Sequence, residues 1–351
     1  MSLFKQSKIA IVSDLHIGVH GDSSQWHEIA LKWARWLDSE LKRHEITDIM
    51  FCGDWYHNRS EISVSTLQVS AEILRILQNY NIIMITGNHD IFFKHRTDVN
   101  SLTIFEGRQN VSVYTKPYTF DSFGKTITLC PWATNTQEIP KSDILFGHFE
   151  IEAFQMAPGK LCEDGIEAES ILDVAPLIIS GHFHTRHEKE FDKGRILYAG
   201  NPFQMDFGDS GNLKGYYILD IPKLEYCFYH NPVSPQYIRL ALSELTKAQT
   251  ITPRIIEKIE GNIVKFKIDS NISQDDLQFL TQLLTQFNPL SFSVDYDINF
   301  NRILSDMDRE GRDFSGIDIP QAIIEFVNLL DISNKKEVQE YTLNLYRKSK
   351  A

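Results

Sequence analysis

Five short segments carry residues that could do chemistry together. They are Asp14-Leu15-His16, Gly53-Asp54-Trp55-Tyr56-His57, Gly87-Asn88-His89-Asp90, Gly147-His148 and Gly181-His182-Phe183-His184. Carboxylates, imidazoles and one amide oxygen form a mixed donor set that suits Mn²⁺, Fe²⁺ or Zn²⁺ better than Ca²⁺. The two-residue steps Asp14-x-His16 and His182-x-His184 turn both side chains to one side if the backbone is extended. Gly53, Gly87, Gly147 and Gly181 each precede a candidate ligand, where a residue without Cβ lets the backbone turn and approach an ion. A lone His or Asp at a strand end is more often a turn residue or a surface group. The information lies in the ordered set, each member closing an apolar run.

The elements that must position these groups are legible around them. Ile9–Val12, Ile49–Cys52, Ile82–Ile85, Ile144–Phe146 and Leu177–Ile179 are short and apolar at successive positions, the pattern of strands buried on both faces. Between them lie helical periodicities. Trp26, Ile29, Ala30, Trp33, Leu37 and Leu41 follow Asp22 and Gln25, spaced like a capping box, and Val64, Leu67, Ala71, Leu74 and Leu77 form a second stripe. Strand–helix alternation predicts an α/β layered core. Further strands over 125–131, 195–199 and 215–220 make it a two-sheet sandwich flanked by helices. In open α/β sheets ligands sit beyond the carboxyl ends of the strands, so the five segments can converge there.

With 351 residues the chain has room for about two domains. A composition that is 42% hydrophobic and 23% charged excludes a collagen-like or disordered chain. No apolar run reaches the roughly 20 residues of a membrane span, and no secretory signal is visible. Cys52, Cys130, Cys162 and Cys227 lie far apart, which fits reduced packing residues in a cytoplasmic protein. The formal net charge of −12 means that a polyanion must be held by a local basic patch, by metal ions or by a partner.

The segment Asn231-Pro232-Val233-Ser234-Pro235 reads as a linker. It divides a first domain, 1–230, from a second, 231–300, in which Val264, Phe266 and Ile268 alternate with polar residues. Leu277, Leu280, Leu283, Leu284 and Phe287 then follow a helical period before a second alternation at Leu290, Phe292, Val294 and Tyr296. That is a small β-α-β unit without an evident catalytic group. A charged, Gly-containing stretch at 301–316 leads to two short helices in a final segment, 301–351. The second has an apolar face of Val338, Tyr341 and Leu345.

DLHIG, GDWYHNR, GNHD, GH and GHFH, in that order over residues 8–205, resemble the calcineurin-type metallophosphoesterase superfamily. More narrowly they are similar to the SbcD/Mre double-strand-break nuclease family, phage recombination endonuclease subunits included. The resemblance implies two divalent metal ions, Mn²⁺ being expected. Asp14, His16, Asp54 and His184 would hold one ion, and Asp54, Asn88, His148 and His182 the other, with Asp54 bridging. It implies that His89 is the catalytic acid, with Asp90 orienting its ring. His57 stands where phosphatases of the superfamily carry an acidic residue, and an imidazole there can contact a DNA phosphate or support bound water. Asn58-Arg59 departs from the commonest spelling.

The resemblance further implies 3′→5′ exonuclease activity on duplex DNA and endonuclease activity on single strands. It also implies a homodimer, a DNA-capping role for the β-α-β unit, and terminal helices that bind an SbcC/Rad-type coiled-coil ATPase. Two other readings are a dimetal phosphatase or small-molecule phosphodiesterase, and a scaffold without catalysis that recruits the ATPase. Trp55 and Trp132 read as core or rim packing. His20, His27, His44, His95, His187 and His230 read as solvated or locally hydrogen-bonded. Lys94, His95, Arg96 and Arg186 could supply local positive charge.

Overall fold

Strand β1 (Lys8–Val12) shows the plan of the molecule in five residues. Ile9 and Ile11 point into one apolar layer, whereas Ala10 and Val12 point into another, so both faces are buried. The same two-sided burial holds for β2 (Asp48–Phe51) and β3 (Asn81–Ile85), and β2 pairs in parallel with β1 on one side and β3 on the other. The computed structural model describes residues 2–157, 159–248, 252–270, 272–296 and 334–350, with positions 320, 324, 327 and 328.

Strand β4 (Val111–Tyr114) extends this sheet beyond β3. The chain then builds a second sheet from β5 (Tyr118–Ser122), β6 (Lys125–Cys130), β7 (Ile144–His148), β8 (Leu177–Gly181), β9 (His187–Phe191) and β10 (Gly194–Tyr198). Afterwards β11 (Gly215–Asp220) and β12 (Glu225–His230) return to the first sheet. The two six-stranded orders are β12-β11-β1-β2-β3-β4 and β9-β10-β8-β7-β6-β5. Strand β11 lies antiparallel to β1 (Ile9 opposite Leu219), and β8 runs parallel to both β7 and β10.

Four layers result. Ile11, Met50 and Ile83 of the first sheet meet Ile127, Phe146 and Ile179 of the second in a core between them. The outer face of the first sheet is covered by helices α1 (Ser24–Arg43) and α2 (Val64–Ile76), the outer face of the second by α3 (Ala168–Leu172). This is the predicted two-sheet sandwich with flanking helices.

Three expectations need correction here. The Asp22–Gln25 capping box does not form. Helix α1 starts after Ser23, which makes no side-chain cap bond. His20 and Asp22 have left-handed φ values of 58° and 59°, and the Asp22 carboxylate instead accepts from the Thr66 hydroxyl. Helix α2 buries only the far end of its expected stripe, Leu74 and Leu77, since Val64 is 82% exposed and Leu67 37%. It buries Thr66, Ser70, Ile73 and Leu74, because Ser70 accepts hydrogen bonds from the Trp55 indole (2.8 Å) and the Tyr56 hydroxyl (2.8 Å). Cys52, Cys130 and Cys162 are packing residues, but Cys227, on edge strand β12, is exposed.

The chain divides into two compact units, residues 1–239 with 261–264, and 240–260 with 265–351. Beyond β12 lies a separate three-stranded sheet, ordered β13 (Tyr237–Ala241), β14 (Ile263–Ile268) and β15 (Ser291–Tyr296). A helix over Gln274–Thr285 joins the last two, as the alternation predicted, and its N-terminus is capped by Ser273, whose hydroxyl accepts from the Asp276 amide (3.1 Å). A final helix spans Lys335–Lys350. The expected linker at 301–316 and nearly all of the helix before Asn334 lie outside the described residues.

Candidate metal centre

The loops that leave β1, β2, β3, β7 and β8 at their carboxyl ends come together. Backbone bonds continue the parallel pairing past the strands: the Asp14 amide donates to the Gly53 carbonyl (3.0 Å), His16 to Asp54 (3.1 Å) and Ile17 to Trp55 (2.9 Å). The side chains do not share a direction because the backbone is extended, as the two-residue steps suggested. Asp14 (φ 55°), His16 (φ 47°), Asp54 (φ 61°) and His182 (φ 89°) are all left-handed. Each such non-glycine conformation costs about 1–3 kcal/mol and persists where surrounding contacts over-determine it. The strain sits at the ligands themselves.

Two glycines allow the loops to close. At Gly53 (φ 93°) a Cβ would stand 2.4 Å from His148 Nδ1, and at Gly87 it would stand 2.1 Å from Asp54 Oδ1. Neither position tolerates a side chain without moving a candidate ligand.

All seven expected ligands meet. Asp14, His16 and His184 form one group, and Asp54, His148 and His182 a second, each with its ligand atoms within 4.8 Å of one another. Asp54 Oδ2 stands between them, 3.5 Å from His16 Nε2 and 3.3 Å from His148 Nε2. The Asn88 side-chain oxygen lies 3.0 Å from His148 Nε2 and 2.9 Å from His182 Nδ1. His16 Nε2 and His184 Nε2 face each other at 2.9 Å.

These contacts oppose acceptor lone pairs unless a proton or a cation lies between them. His16 Nδ1 is in addition buried with no hydrogen-bond partner among the described residues. Two buried carboxylates, four imidazoles and an amide oxygen converging in this way fit a pair of divalent cations.

The electrostatics agree. Burial pushes the Asp14 carboxyl up to about 7. Burial acts in the same sense on Asp54, but the charge and hydrogen bond of His148, then the charge of His16, outweigh it and hold Asp54 well below the ordinary carboxylate range. Burial alone would lower His148, yet Asp54 and Asp14 raise it to about 9. Burial lowers His184 to about 4 and drives His16 down as well, which leaves both rings neutral and able to ligate.

His89 and His57 stand at the edge of the first group. The three rings of His16, His57 and His89 cluster, with His57 stacked on His89 at 5.5 Å. His89 Nδ1–H donates to the His57 carbonyl oxygen (2.5 Å). That carbonyl orients the His89 ring; Asp90 does not. The buried Asp90 carboxylate instead accepts from the amides of Asp54 (2.8 Å), Trp55 (3.0 Å), Tyr56 (3.3 Å) and Gly87 (2.9 Å), and so staples two ligand loops together. Burial, then the nearby Asp54 charge, raises it to about 7.

The sequence reading missed Glu150. Its carboxylate accepts from His182 Nε2–H (3.0 Å), which turns Nδ1 of that ring toward Asn88. Its place two residues after His148 was the available clue. Trp55 is core, whereas Trp132 is rim, its ring 5.0 Å from that of His182. A cleft of about 300 Å³ opens beside His182 and His184, reaching Asp206 and Asp209.

Comparison with known proteins places this geometry in context. Residues 7–186 match the family model described as calcineurin-like phosphoesterase. The chain is 27% identical over 354 aligned residues to exonuclease subunit 1 of Enterobacteria phage T4, covering 92% of this chain and 98% of that protein. A solved archaeal phosphodiesterase is 16% identical, with a TM-score of 0.37, over 64% of this chain and 99% of that one.

Proposed function

The chain belongs to the calcineurin-like phosphoesterase family, a metal-dependent class of enzymes, and from that premise we propose that it is a Mn²⁺-dependent DNA nuclease subunit of a recombination or repair complex. The observation that carries this reading is the convergence of seven ligand side chains on one crevice, with His57 and His89 at its mouth. The length-wide likeness to a phage exonuclease subunit supports DNA as the substrate.

Asp14, His16, Asp54 and His184 would hold one cation, and Asp54, Asn88, His148 and His182 the other. Bound there, divalent cations lower the pKa of water in the site and offset charge on the phosphate. The protein's own groups do the rest. The His57 carbonyl fixes the Nδ1–H of His89, so that Nε2 of the imidazolium is the atom that delivers a proton to the departing sugar oxygen. The His57 ring, stacked on it, adds a donor for a phosphate oxygen.

The reading includes a homodimer, supported by the apolar stripe of α2 at Val64 and Leu67 that this unit leaves exposed. It also includes a DNA-capping role for the β13–β15 unit, and a coiled-coil ATPase partner for the helix Lys335–Lys350, whose Tyr341 is 67% exposed. The test is purified protein on end-labelled duplex DNA, with Mn²⁺ or with chelator, beside a chromogenic phosphodiester. Mn²⁺-dependent shortening of the DNA is expected. Hydrolysis of the small diester alone would overturn the nuclease reading in favour of a small-molecule phosphodiesterase.

A further inference from the structure

The loop that carries Asn88, His89 and Asp90 runs directly into a two-stranded hairpin, Ile91–Phe93 paired with Arg96–Asn100. Ile91 is buried at its base, but Phe92 is 49% exposed and Phe93 42%. Their rings meet edge to face at 4.9 Å, and the Arg96 guanidinium lies 4.8 Å over the Phe93 ring. Lys94 and His95 form the exposed turn between the strands. In a chain of net charge −12, residues 92–96 hold two aromatic rings, Lys94, His95 and Arg96, and no acid. Asp98, further along, pairs with Arg96 (2.6 Å), and among the described residues no acid pairs with Lys94 at the turn.

This hairpin is fastened to the metal centre at its tip as well as its base. The Lys94 carbonyl accepts from the Trp132 indole N–H (3.1 Å), and the Trp132 ring lies 5.0 Å from His182 and 6.0 Å from His148. The exposed rings and cations therefore stand at a fixed place on the rim of the crevice. Two adjoining exposed aromatic rings on the rim of a charged crevice form a contiguous apolar patch of the kind that marks a ligand-contact surface. Aromatic faces interleaved with cations are the chemistry that holds unpaired nucleotides: bases stack on the rings, and phosphates meet the basic groups.

Resting on the nuclease reading above, we propose that the 91–100 hairpin is a stacking platform for unpaired nucleotides of a DNA strand entering the metal centre, with Phe92 and Phe93 receiving bases and Lys94 and His95 the backbone. It makes the enzyme selective for a frayed or single-stranded end over a small phosphodiester. A protein partner or a second copy of this chain has no need of a cationic turn fixed to the ligand wall.

The test compares the full-length wild type with Phe92→Ala/Phe93→Ala and with Lys94→Ala, all loaded with Mn²⁺. Rates are measured on a fluorescent DNA with an unpaired end and on bis(p-nitrophenyl) phosphate, and affinity for the same unpaired oligonucleotide by anisotropy in chelator. The double variant should lose about tenfold or more in kcat/KM on DNA and in oligonucleotide affinity, with less than twofold change on the small diester. Lys94→Ala should weaken binding by a smaller, salt-dependent factor. Three results would overturn the platform: unchanged DNA cleavage and binding, an equal loss on both substrates, or a change of oligomeric state in the double variant. The last would assign the rings to an interface between copies. Wild type that hydrolyses the small diester but neither cuts nor binds DNA overturns the nuclease reading and the platform together, whereas DNA cleavage indifferent to the hairpin overturns the platform alone.

Discussion

The two ligand groups of the crevice are built on opposite plans. In the second group each ring is anchored through the nitrogen that faces away from the centre: His148 Nδ1 bonds the Cys52 carbonyl (2.7 Å), and His182 Nε2 bonds Glu150 (3.0 Å). In the first, His16 Nδ1 has no partner among the described residues, and its Nε2 faces that of His184. Outer partners fix the tautomer and direction of a ligating imidazole before the ion arrives. The second group is thus preorganised, whereas the first would need a bound cation to hold its rings in place. The difference teaches that the two proposed sites need not be equivalent even if Asp54 serves both: the second should bind tightly, and the first should fill later.

The harshest way to break that comparison is to remove what the groups share. Asp54→Ala should lower phosphodiesterase activity by at least about a thousandfold and abolish stoichiometric retention of two ions after dialysis, read by metal analysis. Retention of both ions would refute a bridging role. Next in size, His89→Ala should cut kcat by about 10²–10⁴-fold while leaving metal content unchanged, because the ring's hydrogen bond goes to the His57 carbonyl and not to a ligand side chain.

Glu150→Ala sharpens the contrast directly. Calorimetric titration should show one of two binding events weakened by about 10–100-fold, with Glu150→Gln largely restoring it through its side-chain carbonyl. Equal weakening of both events would erase the distinction drawn here.

The smallest effect is on pH. Asp14, raised by burial from the ordinary carboxylate range to about 7, favours the folded metal-free protein only while protonated. That contribution is complete below the unfolded pKa and is lost as pH climbs through the folded one. A cation requires the ionised form. The gain in Tm on adding Mn²⁺ should therefore be larger at pH 8 than at pH 6, by differential scanning fluorimetry.

The sandwich was legible because strands buried on both faces, such as Ile9–Val12, read as unbroken apolar runs. The ligand set was legible because five of those runs end in donors. What the sequence hid was conformational and relational. Asp14 and His182 look like members of extended two-residue steps, yet left-handed φ values aim them, and composition does not encode such strain. Asp90 sits next to His89 in the chain but spends its oxygens on four amides, since buried N–H groups of the adjacent loops need acceptors. Helix α2 uses only the Leu74 and Leu77 end of its apolar stripe, because polar Thr66 and Ser70 found buried partners at the other end.

Anomalous diffraction from crystals of the full-length protein equilibrated with Mn²⁺ tests the central claim most directly. Two peaks about 3.5–4 Å apart, with the Asp54 carboxylate between them and the six other ligands divided on either side, are the predicted result. Saturating Mn²⁺ with no peak among those side chains would contradict it.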